Sequence, residues 1–247
     1  MDSNKIEFEN TLLKSLGPRD LIELRKALEP VRLDRTKFIE RAGAPASYLY
    51  FIENGVASTV ARMGKREIEI AITGREGVTG TALILGADIS PHDCYMQVAG
   101  SGYRLSVDNL RRLMAESQTL TATLLRYVNA FLIQVEWNAH ANGIVNLQHR
   151  LARWLLMIHD RTHGNTLDIT HEFLSIMLSA RRPGVTVGLQ IFEGEGLIRA
   201  TRGAITILDR QGLIEASDGS YGRAELEYRR LIGPGRLSDD HLKDATE

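Results

Sequence analysis

Cysteine occurs once in the 247 residues, at Cys94. One thiol excludes an intramolecular disulfide, and it excludes any four-cysteine iron-sulfur or zinc site built within one chain. No apolar run approaches the roughly twenty residues that a membrane span needs. The chain starts on the polar stretch MDSNKIEFEN, which has no secretory hydrophobic region, so a cytoplasmic protein with no membrane partner is expected. A surplus of basic charge is missing too: 30 Lys and Arg stand against 31 Asp and Glu, for a net charge of -1. That excludes a positive field over the whole molecule, although affinity for nucleic acid follows local patches rather than the sum. There is no internal repeat and no low-complexity tract. What remains is an ordinary soluble composition, 43% hydrophobic and 25% charged, over a length that exceeds one average domain and points to two.

The stretch from Ile169 to Leu208 carries the most specific pattern. Two short apolar-patterned helices meet at Ser179-Ala180-Arg181, and the second, closed by glycine, runs into a two-stranded ribbon. This is the plan of a winged helix-turn-helix, in which one helix is free to enter a DNA major groove. The second helix is expected to begin near Pro183, which is tolerated because a first-turn amide has no intrahelical partner. Val185, Leu189 and Phe192 then face the core, with Gly188 allowing close approach to the first helix. Thr186, Val187 and Gln190 lie on the opposite side. Arg181 and Arg182 take the leading edge, where a guanidinium can grip guanine O6 and N7, and Gln190 suits adenine or a phosphate. Thr170 and His171 open the first helix as candidate phosphate contacts. Arg199 and Arg202 flank the wing. Double-stranded DNA is the implied partner.

Upstream, Asn10 to Glu29 reads as two short helices broken at Gly17-Pro18. From Val31 to Leu105 short alternating segments punctuated by glycine take over, with Tyr48, Tyr50 and Ile52 on one side and Asn54-Gly55 as a hairpin signal. They argue for a compact antiparallel barrel or jelly roll. Asp108 is the candidate N-cap of the helix NLRRLMAES. Between Thr119 and Asn142, Leu124, Val128, Phe131 and Val135 recur at four-three-four spacing, and Asn138 and Asn142 continue it with polar groups. That is the narrow seam of a coiled coil, so a helix pairing with its copy in a homodimer is expected; the rival is a helix packed on its own barrel. Gly143 is the expected hinge. Val145 to Arg161 reads as a second amphipathic helix whose Leu147, Leu151, Trp154, Leu155 and Ile158 support the reading unit. Asp209 to Ala216 and Tyr221 to Ile232 read as further helices, ended by Gly233-Pro234-Gly235 before a polar tail expected to be mobile. The expected organisation is α+β: a sensor barrel over 1–118, a dimerisation helix over 119–143, a winged helix-turn-helix over 144–233 and the tail over 234–247.

The order of these parts, with the phrases YLYFIENGVAS, MQVAGSGYRLSVDNLRRLM, HRLARWLL and RRPGVTVGLQ, resembles the Crp/Fnr family of bacterial transcription regulators over roughly Leu12 to Leu208. The resemblance implies a cyclic-nucleotide-binding-like barrel and a dimer on a two-fold symmetric DNA site with half-sites about one helical turn apart. It adds RNA polymerase as a partner if the protein is an activator. In the cyclic AMP-binding members a G-E-L-G loop lies against the ribose, and an arginine-serine pair holds the cyclic phosphate. The matching loop is Gly77, Val78, Thr79 and Gly80, with Glu76 as the carboxylate under a shifted alignment, and the pair falls near Asp93 and Cys94. These are the candidate effector-pocket residues. A carboxylate where phosphate should sit costs about 1 to 4 kcal/mol at roughly 4 Å, which disfavours cyclic AMP and leaves the effector unknown. Fnr-like cysteines are missing, and of the barrel residues only His92, Met96 or Cys94 could ligate a haem. Cys94 is expected to be a buried structural thiol, and no cofactor is expected. The family's guanine-reading arginine matches Arg182, its next position, commonly glutamate, is Pro183, and a second reading arginine is Val187. A target sequence of its own is therefore expected.

Two other function classes compete. His159, Asp160 and His163 in MIHDRTHG have the i, i+4 histidine spacing that can hold a metal on a helix. They also sit at a predicted helix end, where imidazoles are favoured without any metal. No nucleophile, base and orienting group converge elsewhere, so an enzyme is not expected and neither is a metal. The remaining alternative is a ligand-sensing or protein-interaction module that never touches DNA.

Overall fold

The computed structural model describes residues 7–64 and 66–233. The tail expected over 234–247 lies outside the described residues. Two short helices open the chain, α1 (Thr11–Lys14) and α2 (Pro18–Ala27), with Pro18 in the first turn of the second. Asn10 ties them to the rest of the lobe: its Oδ1 accepts the Leu13 amide, and its Nδ2 donates to the carbonyls of Ile52 and Gly77, both at 2.8 Å.

Strands β1 (Glu29–Leu33), β2 (Phe38–Glu40), β3 (Tyr48–Met63), β4 (Arg66–Thr73) and β5 (Asp93–Ser106) form one antiparallel sheet. Its order is β1-β5-β3-β4 with β2 also on β5, and a short helix α3 (Thr81–Ile84) stands between β4 and β5. The sheet is jelly-roll-like and does not close into a barrel. Asn54-Gly55, expected as a hairpin, lies inside β3 as a bulge. The register against β5 shifts on both sides of Asn54, and Gly55 takes φ 88 where a Cβ would stand 2.5 Å from the Val98 carbonyl oxygen. Positive φ suits a bulge as well as a turn, and continuous pairing with β5 selects the bulge. The bulge also breaks the strict alternation expected there: Tyr48 and Tyr50 are half-buried, whereas Leu49, Phe51 and Ile52 are all buried.

Helix α4 (Val107–Glu116) is capped by Ser106, whose hydroxyl accepts the Asn109 amide at 3.3 Å; Asp108, the expected cap, lies in its first turn. Helix α5 (Gln118–Ile144) continues through Gly143 instead of hinging there. The chain turns at Val145 and Asn146, and Asn146 caps α6 (Leu147–His159). Helix α5 lies against the sheet. Leu124 and Val128 are buried in one core with Leu12, Phe51 and Val78. Gln134 accepts the Ile72 amide at 2.8 Å and donates to the Ile72 carbonyl at 3.1 Å, while Asn138 donates to the Ile70 carbonyl at 2.7 Å.

The seam expected on α5 is therefore corrected. Leu124, Val128 and Asn138 serve the chain's own core, Phe131 and Val135 are half-buried, and only Asn142 is exposed. The face left in solvent is displaced by one residue and carries Leu125, Asn129, Leu132, Glu136 and Ala139.

The second lobe follows with β6 (Thr166–Leu167), α7 (His171–Met177), α8 (Arg182–Gly194), β7 (Ile198–Thr201), β8 (Ala204–Ile207), α9 (Arg210–Ala216) and α10 (Arg223–Ile232). Its small sheet has the order β6-β8-β7. Leu151, Leu155 and Ile158 of α6 pack with Leu174, Val185, Leu189 and Phe192, and Val56 and Ile72 of the first sheet join the same cluster. The two lobes thus share apolar packing. Gly188 does allow a close approach, but to α6 rather than to α7: a Cβ there would meet Leu151 Cδ2 at 3.0 Å. Helix α10 returns to α5, and its Tyr228 hydroxyl donates to the Glu76 carbonyl at 2.5 Å. Among the described residues no helix is long and apolar enough to cross a membrane.

Candidate nucleic-acid interface

Thr170 caps α7, its hydroxyl accepting the Phe173 amide at 3.2 Å. One bond accepted leaves the hydroxyl proton available to another acceptor. Next to it, His171 Nδ1 lies 3.2 Å from the Thr186 hydroxyl, tying the start of α7 to the outer face of α8. The turn between the helices reverses at Ser179, which takes φ 46, and its Leu178 carbonyl accepts the guanidinium of Arg150. Helix α8 then starts from Arg181 as N-cap, with Arg182 as its first residue and Pro183 in the first turn. Both arginines project from a helix end held in place by Val185, Leu189 and Phe192 beneath it.

Six of the nine residues expected at DNA share one cleft of about 630 Å³: Thr170, His171, Arg182, Thr186, Gln190 and Arg202. Arg181, Val187 and Arg199 are exposed but lie outside its lining. The sequence reading missed two carboxylates in the same cleft. Glu172 Oε2 stands 3.5 Å from Arg182 Nη1, and Glu193 Oε1 accepts the Ala200 amide at 3.0 Å, which ties α8 to the wing. Helical periodicity was the available signal, since Glu193 follows Gln190 by one turn on the face away from the core. Two arginines and two carboxylates leave this cleft close to neutral, in keeping with the near-zero charge of the whole chain.

The residues expected at the effector pocket make contacts within the chain. Glu76 pairs with Arg161 just beyond α6 at 2.7 Å, with both side chains buried. The Tyr127 hydroxyl donates to the Val78 carbonyl at 3.0 Å, and a Cβ at Gly77 would fall 2.1 Å from that hydroxyl. Thr79 is buried, and Gly80, at φ 79, donates its amide to Glu40 Oε1 at 2.8 Å. Glu40 also pairs in register with Cys94, and burial raises its carboxyl above the usual carboxylate range. Asp93 accepts the Ala42 amide at 2.9 Å and pairs with Arg62 at 3.3 Å. Cys94 is buried, and burial pushes its thiol well above the ordinary value.

The histidines weighed as metal ligands have separate partners. His159 places Nδ1 2.9 Å from Arg210 and Nε2 3.1 Å from Asn165, and His163 lies 3.4 Å from Arg75. Asp160 is held by Arg210 at 2.6 Å and by the Tyr221 hydroxyl at 2.7 Å. No group of three or more His, Cys, Asp or Glu placed to hold a metal occurs among the described residues.

A jelly-roll-like sheet, one long helix and a winged helix-turn-helix, joined in that order, make up the fold of Crp/Fnr transcription regulators. More particularly, residues 149–216 match the Crp-like helix-turn-helix domain. Among solved structures with this fold is a Crp/Fnr-family transcriptional regulator from Eubacterium rectale, 21% identical over 84% of this chain and 98% of that chain, with a TM-score of 0.65. FixK2 from Bradyrhizobium japonicum is 15% identical over 76% of this chain and 96% of its own, also at 0.65. The c-di-GMP-responsive regulator CLP from Xanthomonas campestris is 17% identical over 77% and 99%, at 0.59. No curated protein sequence matches the chain significantly.

Proposed function

We propose that the protein is a sequence-specific DNA-binding transcription regulator, not an enzyme, acting in the cytoplasm as a homodimer on a two-fold symmetric site. One observation carries this reading. A Crp-like helix-turn-helix domain presents Arg182 and Gln190 in the same cleft as Thr170, His171 and Arg202. Helix α8 enters the major groove with Arg181 and Arg182 leading. Arg182 grips guanine, Val187 meets a thymine methyl, and Gln190 bonds adenine or a phosphate, with Thr186 beside it. Thr170, His171 and the wing residues Arg199 and Arg202 hold phosphates on either side.

The reading divides the chain into a sensor sheet ahead of α5, α5 as dimerisation helix, and a DNA-reading domain after it. Leu125, Asn129, Leu132, Glu136 and Ala139 recur at four-three-four-three spacing on the exposed face of α5, which supports pairing with a second copy. The internal bonding of residues 76–80 supports a sensor sheet that does not take cyclic AMP. RNA polymerase is a further partner if the protein activates.

Selection of bound DNA fragments, followed by mobility shifts at two salt concentrations, tests the reading. The expected outcome is a palindromic consensus whose affinity falls steeply with salt as phosphate counterions are released. Asymmetric single sites would sink the dimer. Absence of binding at low salt would sink the DNA reading in favour of a ligand-sensing or protein-interaction module.

A further inference from the structure

Glu69 is the carboxylate of the sensor sheet that bonds the indole of α6. Its Oε1 accepts the Trp154 Nε1–H at 2.6 Å. Its Oε2 lies 2.5 Å from the hydroxyl of Ser58 on β3, and that hydroxyl lies 2.8 Å from Oε1 of Gln97 on β5. Glu69, Trp154, Ser58 and Gln97 are all buried.

The protons in this chain can be counted. Three oxygens make two short contacts, and Ser58 brings one proton. With Glu69 ionised, the hydroxyl donates to one neighbour only, and its other contact joins two oxygens with no hydrogen between them. With Glu69 protonated, its O–H donates to Ser58, Ser58 donates to Gln97, and both contacts are made. Turning the Gln97 amide would let Nε2 donate to Ser58 without the extra proton. Its oxygen would then take the place where Nε2 now has no hydrogen-bond partner among the described residues.

The charges around Glu69 are engaged elsewhere. Just beyond α6, Arg161 is held by Glu76 at 2.7 Å, and on α6 Arg153 donates to the Ser220 carbonyl at 2.8 Å and to Asn138. Arg150 lines the same small cavity as Glu69 and binds the Leu178 carbonyl. Helix α5 contributes Asn138 and Asn142, α7 contributes Met177, the turn after it Leu178, and β5 adds Tyr95. Burial outweighs these cations and hydrogen bonds and pushes the Glu69 carboxyl up to about 7.

We propose that Glu69 is a proton-binding site between the sensor sheet and the DNA-reading domain, and that gain or loss of its proton changes how α6 seats on the sheet and so alters DNA affinity. The coupling to DNA rests on the function proposed above. Released of its proton, the carboxylate has Arg153 on α6 and Arg161 just beyond its end as its opposite charges, so the pull on it comes from the α6 side. Helix α6 carries Leu151, the residue against which Gly188 of α8 rests. A shift of Trp154 is therefore handed to the helix that bears Arg182.

The chain has two tryptophans, so in a Trp137→Phe background all tryptophan fluorescence comes from Trp154, whose indole bonds Glu69. Between about pH 5.5 and about pH 8.5 one transition is expected, absent in Glu69→Gln, which stays at the acid-side value. No transition with Glu69 present, or the same transition in Glu69→Gln, overturns the proton site. Carboxyl carbon shifts of glutamate-labelled wild type read the titration with no variant at Glu69, and a single carboxyl titrating far above the others is expected. DNA affinity of the wild type at constant ionic strength should change at least about threefold across the transition, and Glu69→Gln should abolish that change. An effect arising at the DNA interface, His171 included, persists in Glu69→Gln and overturns the coupling, as does an affinity that ignores the transition. Absence of DNA binding at every pH, with the titration intact, overturns the proposed function and leaves the proton site standing.

Discussion

Arg182 Nη1 lies 3.5 Å from Glu172 Oε2, across the gap between the first turns of α8 and α7. The side chains are 65% and 63% exposed, so the pair contributes little to folding. Its position matters more than its strength. Arg182 cannot hold Glu172 and a guanine edge with the same nitrogens, and Glu172 remains a negative charge in the cleft proposed to meet DNA. Glu172→Gln is expected to tighten DNA binding about two- to fivefold with base preference unchanged, read by fluorescence anisotropy. Weaker binding would show instead that Glu172 positions Arg182 for the base.

Arg182 and Arg199 are both exposed arginines, yet they are expected to fail differently. Arg182→Ala should cost about 1 to 3 kcal/mol on the selected site and relax preference at one base pair per half-site. Arg199→Ala should weaken all sequences alike and reduce the salt slope by about one phosphate. A uniform loss from Arg182→Ala would reassign that residue to the backbone.

The parts of the fold that rest on local pattern were legible in the sequence. Pro183 in the first turn of α8, the buried Val185, Leu189 and Phe192, and the Gly17-Pro18 break between α1 and α2 all follow from propensity and periodicity. What depended on long-range partners was not. A heptad pattern identifies an apolar stripe without naming what covers it. The stripe through Leu124 and Val128 proved to be covered by the chain's own sheet, leaving Leu125 and Leu132 outside. Gly188 declared a close approach, but only packing decided that the neighbour was Leu151. The loop from Glu76 to Gly80 carried a ligand-loop pattern, and nothing local to it announced Arg161, Tyr127 or Tyr228 arriving from distant helices.

Two buried carboxyls contribute to the pH dependence of stability with the same sign. Burial pushes Glu69 up to about 7, and it outweighs Arg210 in pushing Asp160 up to about 6. A carboxyl whose folded value is raised binds its proton more tightly in the native state, so its contribution is fully present below the unfolded value. That contribution is lost as pH rises through about 6 for Asp160 and about 7 for Glu69. Urea unfolding at fixed ionic strength is therefore expected to show stability declining from about pH 5 to about pH 8, with a shallower decline in Glu69→Gln. Stability rising over that interval would mean that the carboxylates are held ionised by their partners, or that His159, which burial lowers and which therefore favours the fold at higher pH, outweighs them.

The two faces of α5 make opposite predictions. Leu132 is 48% exposed, whereas Leu124 is 1% exposed within the core that holds Phe51 and Val78. Leu132→Glu adds a charge where the monomer has solvent, so the fold should persist while a dimer that buries this face comes apart. Sedimentation equilibrium should then report monomer, and affinity for a palindromic site should fall toward that of a half-site. Leu124→Ala removes buried methyl groups and should cost about 2 to 5 kcal/mol of folding stability, with the folded fraction still associating as the wild type does. If Leu124→Ala dissociates the protein and Leu132→Glu does not, the pairing surface is not this face of α5, and two-fold binding must be built from another part of the chain.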